Sequence, residues 1–100
     1  MDKNDYVEWL IRDWNYPENG AELLYQKFLT SKPEIKTRII DLFNNGECNS
    51  IEVKGFSSDS LMKTHNMNII AALFTIDWLL REPDKAEKSI LKGYDFFKHK

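Results

Sequence analysis

The run Ile69-Ile70-Ala71-Ala72-Leu73-Phe74-Thr75-Ile76-Asp77-Trp78-Leu79-Leu80 constrains this chain more than any other stretch. Wound as an α-helix it is apolar on every side, so something must enclose it. Interrupted by Thr75 and Asp77, it falls short of the ~20 apolar residues of a membrane span. The expected enclosure is therefore protein, with this helix at the centre of a core.

The rest of the chain must supply that enclosure. At 100 residues there is room for one domain and one core. A domain of this size buries only about 60–68% of its surface, so the helices around the run are expected to leave some of it for a partner. With 42% hydrophobic, 13% aromatic and 30% charged residues, the composition is that of a folding, soluble-surfaced unit. No linker, repeat or low-complexity segment divides residues 1–100.

Helical spacing and breakers lay out the elements. Val7, Leu10, Ile11 and Trp14 define an apolar stripe on a helix from about Asp5 to Trp14, with Asp5 and Glu8 spaced as a capping box; Asn15-Tyr16-Pro17 stops it. Tyr6 and Trp9 lie partly off that stripe. A second helix starts at Asn19 or Gly20 and carries Leu24, Phe28 and Leu29 to about Thr30. Pro33 opens a third, with Ile35, Ile39, Leu42 and Phe43 on one face, and Asn45-Gly46 is read as its left-handed cap.

Ile51-Glu52-Val53-Lys54 alternates apolar and charged residues, the pattern of a strand. No second strand of similar quality is visible. Its backbone groups then need an irregular segment, a loop, or the same strand of a second copy across a two-fold axis.

From Ser57 to Leu80 the text reads short helix (Asp59 to His65), three-residue turn (Asn66-Met67-Asn68), long helix capped by Asn68. That layout resembles a helix-turn-helix, with Leu61, Met67, Ala71 and Phe74 at its inside angle. The resemblance stops at the outward positions. A recognition helix presents Arg, Lys, Asn or Gln to base edges, and here no basic residue precedes Arg81. Glu82-Pro83 closes the long helix, and a last one places Ala86, Ile90, Leu91, Tyr94 and Phe97 on one face with Lys85, Lys88, Lys92, Lys98 and Lys100 on the other.

Charge narrows the partners. The net charge of −2 disfavours binding driven by counterion release from nucleic acid or by an anionic membrane. Residues 1–22 are acidic and the last helix is basic, a polarity that suits solvated faces or head-to-tail association. The single Cys48 permits no internal disulfide, and the first residues do not read as a signal peptide, so a cytoplasmic setting is expected.

Catalytic and metal chemistry find little footing. Cys48, His65 and His99 sit in no nucleophile motif, the four glycines are scattered, and one Cys with two distant His does not make a zinc site. Glu18 and Glu22 share a helix face without a His-bearing partner motif. No cofactor or metal and no enzymatic activity are expected.

The sequence therefore predicts a mainly α single compact domain of five or six short helices around the central apolar helix Ile69 to Leu80. One short strand near Ile51 to Lys54 and a helix-turn-helix-like segment complete it. The expected role is a non-enzymatic protein-interaction module, a regulator, inhibitor or adaptor, acting as a homodimer or on another protein. Its expected interface is an aromatic and apolar surface of Tyr6, Trp9, Trp14, Tyr16, Ile51 and Val53. The alternative is a helix-turn-helix-like transcriptional regulator touching DNA through Lys63, His65, Asn66 and Asn68. Richness in Lys, Asn and Ile is a compositional trait of low-GC bacteria and their phages.

Overall fold

A computed structural model describes residues 2–92. Among them the chain forms six helices and one two-stranded antiparallel sheet, a mainly α single domain. The helices are α1 (Lys3–Trp14), α2 (Glu18–Thr30), α3 (Pro33–Asn45), α4 (Ser58–Thr64), α5 (Ile69–Arg81) and α6 (Pro83–Leu91), and the strands are β1 (Glu52–Val53) and β2 (Phe56–Ser57). No helix of the described residues is long and apolar enough to cross a membrane.

Helix α5 is the central post that its composition demands. Ile70 through Asp77 and Leu79 are all buried, and only Ile69, Trp78 and Leu80 are partly reached by solvent before Arg81. Helices α3, α4 and α6 and strand β1 pack on it. Asn68 caps its start by accepting from the Ala71 N–H at 2.8 Å.

The two polar side chains inside α5 are satisfied in different ways. Thr75 donates its hydroxyl to the Ala71 carbonyl one turn back, at 2.7 Å. Asp77 accepts from the Lys32 backbone N–H at 2.8 Å and from Arg81 Nε at 2.9 Å. It thereby ties the break between α2 and α3 to the centre of the domain. Ser31 and Lys32 lead into Pro33 at the first turn of α3, where the proline needs no hydrogen-bond acceptor.

Helix α1 departs from its predicted placement. Asp2, not Asp5, caps it, and Tyr6, Trp9 and Leu10 are its buried residues while Ile11 is 39% exposed. The buried stripe is turned about a quarter of a revolution from the Val7–Leu10–Ile11–Trp14 line. Aromatic area explains the rotation: a helix bearing Tyr6 and Trp9 gains more by burying them than by burying one isoleucine. Tyr6 packs against Trp9, Tyr25 and Phe28 with ring centroids at 5.8, 5.6 and 5.2 Å, and Trp9 reaches Phe43 at 5.2 Å. These contacts lock α1 to α2 and α3.

Helix α2 begins at Glu18, just after Pro17, whose carbonyl accepts from Ala21 N at 2.9 Å. Leu29, predicted on its buried face, is 46% exposed. The Asn45-Gly46 reading holds: Gly46 has φ 79° and donates to the Leu42 carbonyl.

The strand expected near Ile51 to Lys54 forms, and of the partners open to it the one it takes is a short segment without a strand pattern of its own. Residues 52–53 pair with residues 56–57 in a tight hairpin, Glu52 opposite Ser57 and Val53 opposite Phe56. Lys54 and Gly55 both take positive φ, 53° and 82°, as a two-residue turn matched to strand twist requires. The partner segment Phe56–Ser57 is too short to show alternation, and only Gly55 betrays the turn. Ile51 accepts from Ser58 N at 2.9 Å, which extends the pairing within the chain by one residue.

The short helix, tight connection and long helix appear where expected. Ser57 and Ser60 form a reciprocal capping box on α4, and Asn66 turns the chain at φ 55°. Leu61, Met67, Ala71 and Phe74 are buried together in the core. In α6, Ala86 and Ile90 are buried but Leu91 is 72% exposed, one residue off their line. Tyr94, Phe97, Lys98, His99 and Lys100 lie outside the described residues.

If Asp77 is the clasp between the α2–α3 break and α5, Asp77→Ala lowers stability by about 2–3 kcal/mol in urea unfolding, because a backbone N–H loses its partner. Asp77→Asn keeps an acceptor for Lys32 and costs less. Equal losses in the two variants would show that the backbone bond is not what Asp77 supplies.

Candidate interaction surface

The turned helix α1 creates the candidate site. Its Val7 and Ile11 line a groove of about 310 Å³ between α1 and α2, together with Lys3, Asn4, Glu8, Arg12, Glu18 and Glu22. Helices α1 and α2 are joined by residues 15–17 and pack as a hairpin. An apolar floor thus carries charged walls of both signs. Lys3 lies 3.9 Å from Glu22 near one end, and Arg12 lies 3.7 Å from Glu8 and 3.0 Å from Asp13 near the other. These pairs are exposed and individually weak, so their charges stay available to a partner. Leu29 falls seven residues beyond Glu22 on α2, so it extends the same stripe of that helix.

The residues predicted as an aromatic interface are placed elsewhere. Tyr6, Trp9 and Tyr16 are buried at 0%, 6% and 5% exposure, and Trp14 is half-buried with its ring 6.3 Å from Trp9. Tyr6, Trp9 and Tyr16 hold the domain together and present almost no surface, while Trp14 keeps part of its ring open to solvent. Ile51 and Val53 are half-buried against the core beside the hairpin. Sequence spacing missed Ile11 as a surface residue because it assigned Ile11 to the buried stripe; the aromatic pair Tyr6 and Trp9, three apart, was the signal for the other face.

The residues of the DNA alternative divide in the same way. Lys63 and Asn66 are exposed, and His65 is half-buried at the end of α4. Asn68 is committed: its Oδ1 accepts from Ala71 N and from the Tyr16 hydroxyl at 3.2 Å. The neighbouring α5 has no exposed face between Ile69 and Leu80 to lay in a groove.

Two other depressions are weaker sites. A cleft of about 290 Å³ between α2, α5 and α6 contains Lys27, Trp78, Arg81, Glu82 and Lys85, among others. Its central cation is tied to the core, since Arg81 bonds the buried Asp77 at 2.9 Å, and Trp78 Nε1 donates to Glu82 at 3.3 Å; the Lys85–Glu82 pair at 4.0 Å is as exposed and weak as those of the α1–α2 groove. A shallow polar depression is lined by Asp41, Asn45, Glu47, Cys48 and Asn49. Burial pushes the Cys48 thiol up, against the opposing influence of Arg38, which makes it a poor nucleophile. Among the described residues no three His, Cys, Asp or Glu side chains gather as a metal site.

No family model, no curated protein and no solved structure matches the chain. The functional reading accordingly rests on the surface chemistry just described.

Burial also shapes the phenols beneath this surface. Tyr6 Oη is enclosed without a hydrogen-bond partner among the described residues, and desolvation, aided by nearby Tyr16, raises its pKa far above 10.0. Tyr16 is raised by burial too, partly offset by its bond to Asn68. Relative to their ionised forms, the protonated phenols favour the folded state. That contribution is complete below the ordinary phenol pKa and is lost as pH climbs past it, by about 1.4 kcal/mol per pH unit for a phenol that stays protonated in the fold. Tyr6→Phe therefore stabilises the protein slightly at pH 7, by up to about 1 kcal/mol, since it deletes an unpaired buried hydroxyl. Urea midpoints at pH 8 and 10.5 should fall less in Tyr6→Phe than in the wild type. A destabilised Tyr6→Phe would mean that the hydroxyl has a partner after all.

Proposed function

We propose that the chain is a non-enzymatic protein-interaction module, a small regulator, inhibitor or adaptor of bacterial or phage origin. It works in the cytoplasm and engages its partner through the α1–α2 face. The observation that carries this reading is Ile11, a large aliphatic side chain held partly open to water above Val7, inside a rim of Lys3, Glu8, Arg12, Glu18 and Glu22. Apolar centre and charged rim are the anatomy of protein interfaces. Isolated exposed leucines such as Leu91 are ordinary by comparison.

The helix-turn-helix reading draws support only from the order of α4 and α5. Lys63 and Asn66 offer one cation and one amide at the α4–α5 connection, enough for a phosphate contact and little base discrimination.

A photocrosslinking residue at position 11, introduced in the cells that make the protein, traps one discrete adduct, whereas the same residue at position 91 traps none. Equal labelling at the two positions, or none at position 11, would remove the α1–α2 face from consideration.

A further inference from the structure

We infer that the α1–α2 face is built to receive a second copy of itself, in a two-fold arrangement that seats Val7 and Ile11 of one protomer on those of its partner. This inference rests on the proposed use of that face and specifies its occupant.

The argument is the distribution of charge along the groove. One end holds Lys3 with Glu22, and the other holds Arg12 with Glu8 and the start of α2 at Glu18. Each end therefore carries a cation beside at least one carboxylate. A two-fold axis running along the groove, parallel to the two helices, lays α1 of one protomer over α2 of its partner, so that Lys3 lies over the partner's Glu22 and Arg12 over the partner's Glu18. Cations then meet carboxylates at both ends, while the aliphatic side chains meet at the axis. An isologous contact needs this self-complementarity, because the same patch serves both sides. A purely acidic or purely basic rim would repel its own copy.

Size sets the strength. With helices ~18 to 20 Å long and ~10 Å across, the hairpin presents a footprint on the order of 400 Å². Two such faces, on the order of 800 Å² together, fall below the size of stable specific interfaces and in the range of transient ones. The dimer is accordingly weak and depends on concentration and salt.

Sedimentation equilibrium on the full chain tests this. The average mass rises with concentration from 11.8 kDa towards twice that value, and added salt opposes the rise. Ile11→Glu weakens association about 30-fold or more, the loss expected of a central hot spot. The double variant Lys3→Glu/Arg12→Glu is monomeric, as is Glu18→Lys/Glu22→Lys; an equimolar mixture of the two recovers a heterodimer. Circular dichroism checks that each variant is folded, and since these residues are exposed, folding is expected to survive.

A wild-type chain that stays at 11.8 kDa at every concentration overturns the dimer. The crosslink at position 11 then reports a different partner, so the reading of the face is judged separately. Folded charge variants that fail to pair when mixed also overturn it. A dimer indifferent to Ile11→Glu but abolished by Leu91→Glu places the contact elsewhere and overturns both the dimer geometry and the α1–α2 reading.

Discussion

Helix α5 shows water almost nothing between Ile70 and Leu79, and the rest of the domain is arranged to make that so. A cylinder apolar all round can be stable only when every side is covered. Three helices and the hairpin supply contacts to α5, and the short connections bring them there without long excursions. The same requirement governs its polar members. Thr75 turns back to its own helix, and Asp77 becomes a clasp on Lys32 and Arg81. A carboxylate in such a place is tolerated because charge-assisted bonds replace its lost hydration.

The second organising element is the aromatic cluster of α1. Tyr6 and Trp9 link α1 to α2 and to α3 through Tyr25, Phe28 and Phe43. Burying these rings settles the rotation of α1 about its own axis. That rotation in turn lifts Ile11 to the surface and lines up Lys3, Glu8 and Arg12 along a groove. The candidate site is thus a consequence of core packing. A helix carrying more large apolar side chains than one stripe can hold must leave some of them at an edge.

Long-range geometry was only partly legible in the chain. The apolar girth of α5, the proline and glycine breaks, the Asn68 cap and the order of six helices could be read from spacing and turn chemistry, because these depend on residues within a turn or two of each other. Of the hairpin at residues 52–57, alternation over residues 51–54 marked the first strand, but the two-residue partner carries no periodic signal and Lys54 is an unusual residue for a left-handed turn position. The aromatic residues of α1 were correctly seen as too many for one stripe. Tyr6 and Trp9 are covered by rings of α2 and α3, and no pattern local to α1 reports the rings that wait on those helices.

By itself the sequence determined that this protein is a mainly α domain wound around one apolar helix, because hydrophobic periodicity and helix-ending residues act over a few positions. Only the tertiary structure decided which residues of α1 face outward, and with them the site. That choice weighs Tyr6 and Trp9 against Ile11 through contacts with Tyr25, Phe28 and Phe43, residues some 15 to 40 positions away along the chain.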